Sequence, residues 1–101
     1  MDKPKLVRDK IPEIIKKDNK NPITHIADDK EYWDLLKEKL QEEIDEFIKD
    51  ENKEEFADVL EVLYAVSDFK EWNFQELEQL RKEKSDKRGK FKDKIILDKV
   101  E

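Results

Sequence analysis

Residues 40–65, LQEEIDEFIKDENKEEFADVLEVLYA, decide the fold of this chain. Leu40, Ile44 and Phe47 recur at helical spacing before the polar turn Asp50-Glu51-Asn52, and Phe56, Val59, Leu60, Val62 and Leu63 resume the pattern after it. The stretch reads as two helices folded back on each other. Glu43 and Glu46 stand three apart on the first helix, Glu55 and Asp58 three apart on the second, and positions three apart share a helix face. In an antiparallel hairpin centred on the turn, Glu46 falls opposite Glu55 and Glu43 opposite Asp58. Four carboxylates thus converge between the helices. Like charges so placed repel unless a cation sits among them, and the simplest such cation is a divalent metal.

Upstream, the first of these helices starts at Asp28 or Asp29 with an acidic first turn, which suits the helix dipole. Trp33 and Leu36 extend its apolar face. Relative to the centre of that face, Glu43 lies at about 60° and Glu46 at about 120°, on one flank; Glu42 and Asp45 point to solvent. Asn52 is a good N-cap for the second helix, and Glu55 three residues later fits a capping box. That structural role explains Glu55 alone. It does not explain Asp58, which sits between Val62, Ala65 and Phe69 on the wheel of a helix apolar over most of its circumference, and therefore expected to be central. A carboxylate on such a surface is costly unless it is paired, protonated or metal-bound.

Further out, Asn73 caps another helix, with Glu76 at the capping-box position and Leu77 and Leu80 as its apolar contacts; Gly89, the only glycine, is its natural stop. Residues 4–10 form an extended start, and Pro12 opens a short helix carrying Ile11, Ile14 and Ile15 that ends in the polar run Lys16–Asn21 and Pro22. Ile23, His25 and Ile26 read as a brief strand. His25, the only histidine, is read first as structural or solvent-facing. Phe91, Ile95, Ile96 and Leu97 make a last, short extended segment. The expected fold is all-α: one domain over residues 1–101, a helical hairpin or bundle of about four helices with short extended N- and C-terminal segments.

Half the residues are charged and 36% are hydrophobic, a balance near that of disordered chains. The apolar residues are periodic, however, so the reading is a helical domain with a narrow core. A chain of 101 residues buries about 65% of its unfolded surface at best, and a thin hairpin less, so assembly as an oligomer is expected. The net charge of −6 argues against nucleic-acid binding as the general function. Between Arg81 and Lys94 eight basic residues face three acids, either a solvated face or a phosphate-binding patch. There is no cysteine, hence no disulfide and no thiolate site. No apolar run approaches membrane-spanning length, and MDKPKLVRDK lacks the hydrophobic segment of a secretory leader, so the expected compartment is the cytoplasm with no membrane partner.

An isolated ExxE means little where 28 of 101 residues are acidic; Glu42 with Asp45, and Glu51 with Glu54, share the spacing by accident. The mirrored pairs across a hairpin, with one acid on an apolar helix, are a stronger signal. An oxygen-only ligand set without His or Cys suits Mg²⁺ or Mn²⁺ rather than Zn²⁺. Such ions in a carboxylate nest hold polyphosphate oxygens and activate water.

These residues also carry a family resemblance. Lys39–Glu46 (KLQEEIDE) followed by Glu55–Leu60 (EFADVL) resembles the EExxE…ExxD signature of the MazG-like all-α nucleoside triphosphate pyrophosphohydrolases. Lys5–Pro12 (KLVRDKIP) and Lys87–Phe91 (KRGKF) resemble the two ends of small single-domain proteins of the phosphoribosyl-ATP pyrophosphohydrolase-like branch. Only eight residues separate Glu46 from Glu55, fewer than in many members, which keeps the pairs aligned but removes contacts that longer connections supply. The resemblance implies a helical bundle that forms a homodimer or homotetramer, with Mg²⁺ on Glu43, Glu46, Glu55 and Asp58. It implies cleavage of a nucleotide between its α and β phosphates, with one of the acids, Glu42, Glu43 or Glu46 among them, handling the attacking water. Lys39 lies one turn before Glu43, within reach of a phosphate; Arg8, Lys10, Lys87 and Arg88 are further candidates for substrate contacts. Two alternatives stand beside this expectation: phosphoribosyl-ATP hydrolysis in histidine synthesis, and a non-enzymatic helical interaction module whose acids are only a solvated face.

Overall fold

The computed structural model describes residues 3–101. Met1 and Asp2, the start of the stretch read as lacking a secretory leader, lie outside them. Among the described residues there are four helices and no strand: α1 (Ile11–Lys17), α2 (Asp29–Asp50), α3 (Lys53–Phe69) and α4 (Phe74–Arg88). The all-α expectation holds, and no helix is long and apolar enough to cross a membrane.

Each long helix begins where a side-chain oxygen can take an orphan N–H. Asp28 accepts from the Glu31 N–H, Asn52 from Glu55, and Asn73 from Gln75 and Glu76. Helix α2 stops at Glu51, whose φ of 49° is left-handed, and α4 stops at Gly89 at φ 84°, a conformation glycine reaches without strain. Pro12 sits in the first turn of α1, where its missing N–H costs nothing.

The packing is lopsided. Helices α2 and α3 form the hairpin and are the one pair in extensive contact. Among the described residues, Leu36, 1% exposed, and Val62 are the buried apolar side chains. Trp33 stacks on Phe69 with ring centroids 5.4 Å apart, and Tyr32 meets the same ring edge-on. Phe47 meets Phe56 edge-on beside the turn. The radius of gyration is 18.2 Å and the molecule is 60 Å long, whereas a compact chain of this size has a radius near ~13 Å. Helix α4 packs on neither helix of the hairpin beyond its first turn, where Phe74 meets Tyr64.

Three expectations change. The stretch around Ile23, His25 and Ile26 is an irregular loop, not a strand: it has no neighbour to pair its backbone, and both isoleucines are almost fully exposed. His25 instead reaches the first turn of α2, its Nε2 lying 2.8 Å from the Glu31 carboxylate. Helix α3 is not central in the single chain. Val59, Val62, Val66 and Phe69 face α2, while Phe56, Leu60, Leu63 and Tyr64 on the other side are open to solvent. The final apolar segment makes a turn at Phe91–Lys94 and then runs on irregularly, with its apolar side chains exposed.

Candidate metal centre

The hairpin turn sets the site. Helix α2 ends at Asp50 and α3 starts at Lys53, so two residues reverse the chain. The Asn52 side chain holds the first turn of α3 through a 2.9 Å bond from the Glu55 N–H. The Glu55 carboxylate does not return that bond as a capping box would; it faces α2. There, oxygens of Glu43, Glu55 and Asp58 all lie within 4.8 Å of one another, and so do oxygens of Glu46, Asp50 and Glu55. Glu55 belongs to both groups. The two mirrored pairs are thus brought into one patch by the geometry of a short antiparallel hairpin.

Asp50 is an addition. It follows Glu46 by four residues, hence on the same face, but as a turn residue it gave no periodic signal. Glu42 is exposed at the edge of the patch.

Among the described residues, two cations touch these acids. Arg8, in the extended segment before α1, donates from a guanidinium nitrogen to Asp58 Oδ1 at 2.7 Å. Lys39 Nζ lies 3.2 Å from Glu43 Oε1 and 3.6 Å from Glu42 Oε2. Arg8 and Lys39 are therefore beside the acids, while Lys10, Lys87 and Arg88 pair with none of them. Lys10 is the exposed residue just before α1, and Lys87 and Arg88 close α4, which leaves the hairpin. Five carboxylates with two cations remain net negative. The imbalance is felt most at Glu55, whose carboxyl is pushed above its usual range by loss of solvent and then by Asp58, Asp50, Glu46 and Glu43.

A hard cation fits this donor set. All donors are carboxylate oxygens, and ligands on one Mg²⁺ at about 2.1 Å stand up to about 4 Å apart. The oxygens here stand within 4.8 Å of one another, a little wider than that span.

Next to the patch lies a cleft of about 370 Å³ between residues 3–6 and helix α2, bordered there by Leu35, Glu38, Lys39 and Glu42. The N-terminal segment is held over α2 by the Lys3–Glu38 ion pair and, at its far end, by Arg8 on Asp58. Lys39 and Glu42 belong to both the cleft and the edge of the acidic patch.

No family model and no solved structure matches the chain. A protein of Mycolicibacterium smegmatis, described only as an uncharacterized protein, is 46% identical over 41 residues. The match covers 41% of this chain and 42% of that protein, so the chain spans less than half of its relative's length.

Proposed function

We propose that the chain is a Mg²⁺-dependent nucleotide pyrophosphohydrolase, a reading that Mn²⁺ would also serve. One observation carries it: acids from two helices converge on a patch that keeps an excess of negative charge, with Glu55 raised by its neighbours. Glu43, Glu55 and Asp58 would hold the metal, with Glu46 and Asp50 flanking it. When bound, the ion supplies neutralisation of phosphate oxygens and a more acidic water.

The chain's own residues do the rest. Lys39, at the border of the cleft, meets the polyphosphate, and Arg8 exchanges Asp58 for a phosphate oxygen as substrate enters; a triphosphate carries more charge than metal alone neutralises. Water adds to the α phosphorus, and its proton passes to a carboxylate, for which Glu42, on the border shared by the cleft and the patch, is placed. The anhydride P–O bond breaks and its electron pair leaves with pyrophosphate, giving a nucleoside monophosphate. The products suit a house-cleaning hydrolase of the cytoplasm, acting as a homodimer or homotetramer. Phosphoribosyl-ATP is the alternative substrate that the same groups can serve.

A different reading is favoured by the 2.7 Å Arg8–Asp58 bond. There Asp58 is simply the clasp that fastens the N-terminal segment onto an interaction module. The deciding experiment is pyrophosphate release from canonical and modified nucleoside triphosphates and phosphoribosyl-ATP, with and without Mg²⁺. The enzyme reading expects metal-dependent release that Asp58→Asn abolishes while circular dichroism stays helical. Silence across the panel with no metal bound leaves the clasp.

A further inference from the structure

We propose that residues 89–101 are an arm that docks along the outer face of α3 of a second copy of this chain. Two unsatisfied surfaces stand on the same molecule. One is the stripe of Phe56, Leu60, Leu63 and Tyr64, spaced to line one side of α3 and continued by Phe74, whose ring centroid lies 4.6 Å from that of Tyr64. The other is the arm, whose Phe91, Ile95, Ile96, Leu97 and Val100 are between 76% and 99% exposed. Among the described residues the stripe stays about half exposed despite the edge contacts of Phe56 with Phe47 and of Tyr64 with Phe74, and the arm is almost wholly exposed.

The dimensions match. Phe56 to Tyr64 spans about 12 Å of helix, and Ile95 to Val100 spans about 17 Å of extended chain. Phe91 alone offers about 150 Å² or more, and Ile95, Ile96, Leu97 and Val100, each at least 76% exposed, add to it. A stable interface takes about 800 Å² from each partner, and each copy contributes both an arm and a stripe toward it. Charge matches as well. Outside the acidic patch, helix α3 carries Glu54, Glu61 and Asp68 against Lys53 alone, whereas residues 87–94 carry five cations against Asp93.

The arm reaches a second copy more readily than its own α3. Helix α4 runs for 15 residues away from Phe74, about 22 Å, before the arm begins. Doubling back over that distance consumes about seven extended residues. Counted from Gly89, the return ends at Ile95 and spends Phe91 and Ile95, leaving Ile96, Leu97 and Val100 for Leu60 and Phe56. In a two-fold pair each chain offers both surfaces, so one reciprocal exchange satisfies all four.

The test uses full-length chains and needs no turnover, so its outcome is independent of the hydrolase reading. The chain lacks cysteine, so Leu60→Cys and Ile96→Cys each introduce a unique thiol at an exposed position. Mixed and oxidised, the two single variants are expected to give a disulfide-linked heterodimer that neither forms alone. Ile95→Asp with Leu97→Asp is expected to halve the mass seen by light scattering, with helical circular dichroism intact. The proposal is overturned by any of four results: a monomeric parent chain, a dimer indifferent to the arm substitutions, a disulfide closing within one doubly substituted chain, or Leu60→Cys or Ile96→Cys linking chiefly to itself.

Discussion

Glu55→Gln should act in opposite directions on the free and the metal-bound chain. Glu55 is the residue common to both groups of converging oxygens, and its carboxyl is raised by loss of solvent and four neighbouring acids. A carboxyl raised in the folded state makes the ionised form a burden on the fold, present at neutral pH and relieved as pH falls through its folded range. Replacing it with the neutral amide removes that burden, so the metal-free variant should melt slightly higher at pH 7, and the gain should vanish in acid. In the parent chain, Mg²⁺ at ten times its dissociation constant adds RT ln 11, about 1.4 kcal/mol. For a domain of this size that is about 5–10 °C in Tm. Glu55→Gln should lose most of that rise. The assay is thermal unfolding by circular dichroism at fixed protein concentration, in EDTA and in Mg²⁺. Potassium chloride at matched ionic strength serves as the control, because general screening also relieves crowded charges. A parent chain that gains no more from Mg²⁺ than from the matched salt would refute the reasoning. So would a variant that keeps the full Mg²⁺ response.

Other perturbations follow from the same geometry. Leu36→Ala, in the most deeply buried side chain, should cost about 2–4 kcal/mol in urea unfolding, whereas Ile48→Ala, on a side chain 66% exposed, should cost far less. Asn52→Ala should cost about 1 kcal/mol from the lost cap and also loosen Glu55, so Mg²⁺ affinity by calorimetry should fall; an unchanged affinity would dissociate the cap from the site. Arg8→Gln frees Asp58, so Mg²⁺ should bind several-fold tighter to the free protein while turnover falls. Asp34 and Glu78 are held below their usual range first by hydrogen bonds, from Lys30 and Arg81 respectively. Their contribution is present above the ordinary carboxylate pKa and lost as pH falls through the depressed values. Asp34→Asn with Glu78→Gln should therefore flatten the loss of helicity between pH 5 and about pH 2.

What the residue pattern reveals of this protein is local. Asp28, Asn52, Asn73 and Gly89 punctuate the helices because capping is decided within a few residues, and all four stand at the expected ends. Glu43, Glu46, Glu55 and Asp58 come together because so short a turn leaves an antiparallel pair little choice of register. What the pattern conceals is set by distant segments. Nothing near Asp58 announces that Arg8, fifty positions earlier, folds over α2 to meet it. Asp50 was hidden by its place in the turn. The apolar circumference of α3 indicated burial without saying by what, and within one chain only half of it is covered. Ile23 and Ile26 had the composition of a strand but no neighbour to complete a ladder.

The turn at Glu51 and Asn52 has a consequence for how such a protein can change. Each added residue would rotate α3 by about 100° about its own axis, or slide it by about 1.5 Å against α2. Glu55 and Asp58 would then swing away from Glu46 and Glu43, although every acid remained in place. Insertions and deletions accumulate freely in surface loops elsewhere, but here length itself is under constraint. The joint works as a gauge block: Glu51 can change identity, and glycine would even suit its left-handed backbone, but the count of residues cannot change without dispersing the patch.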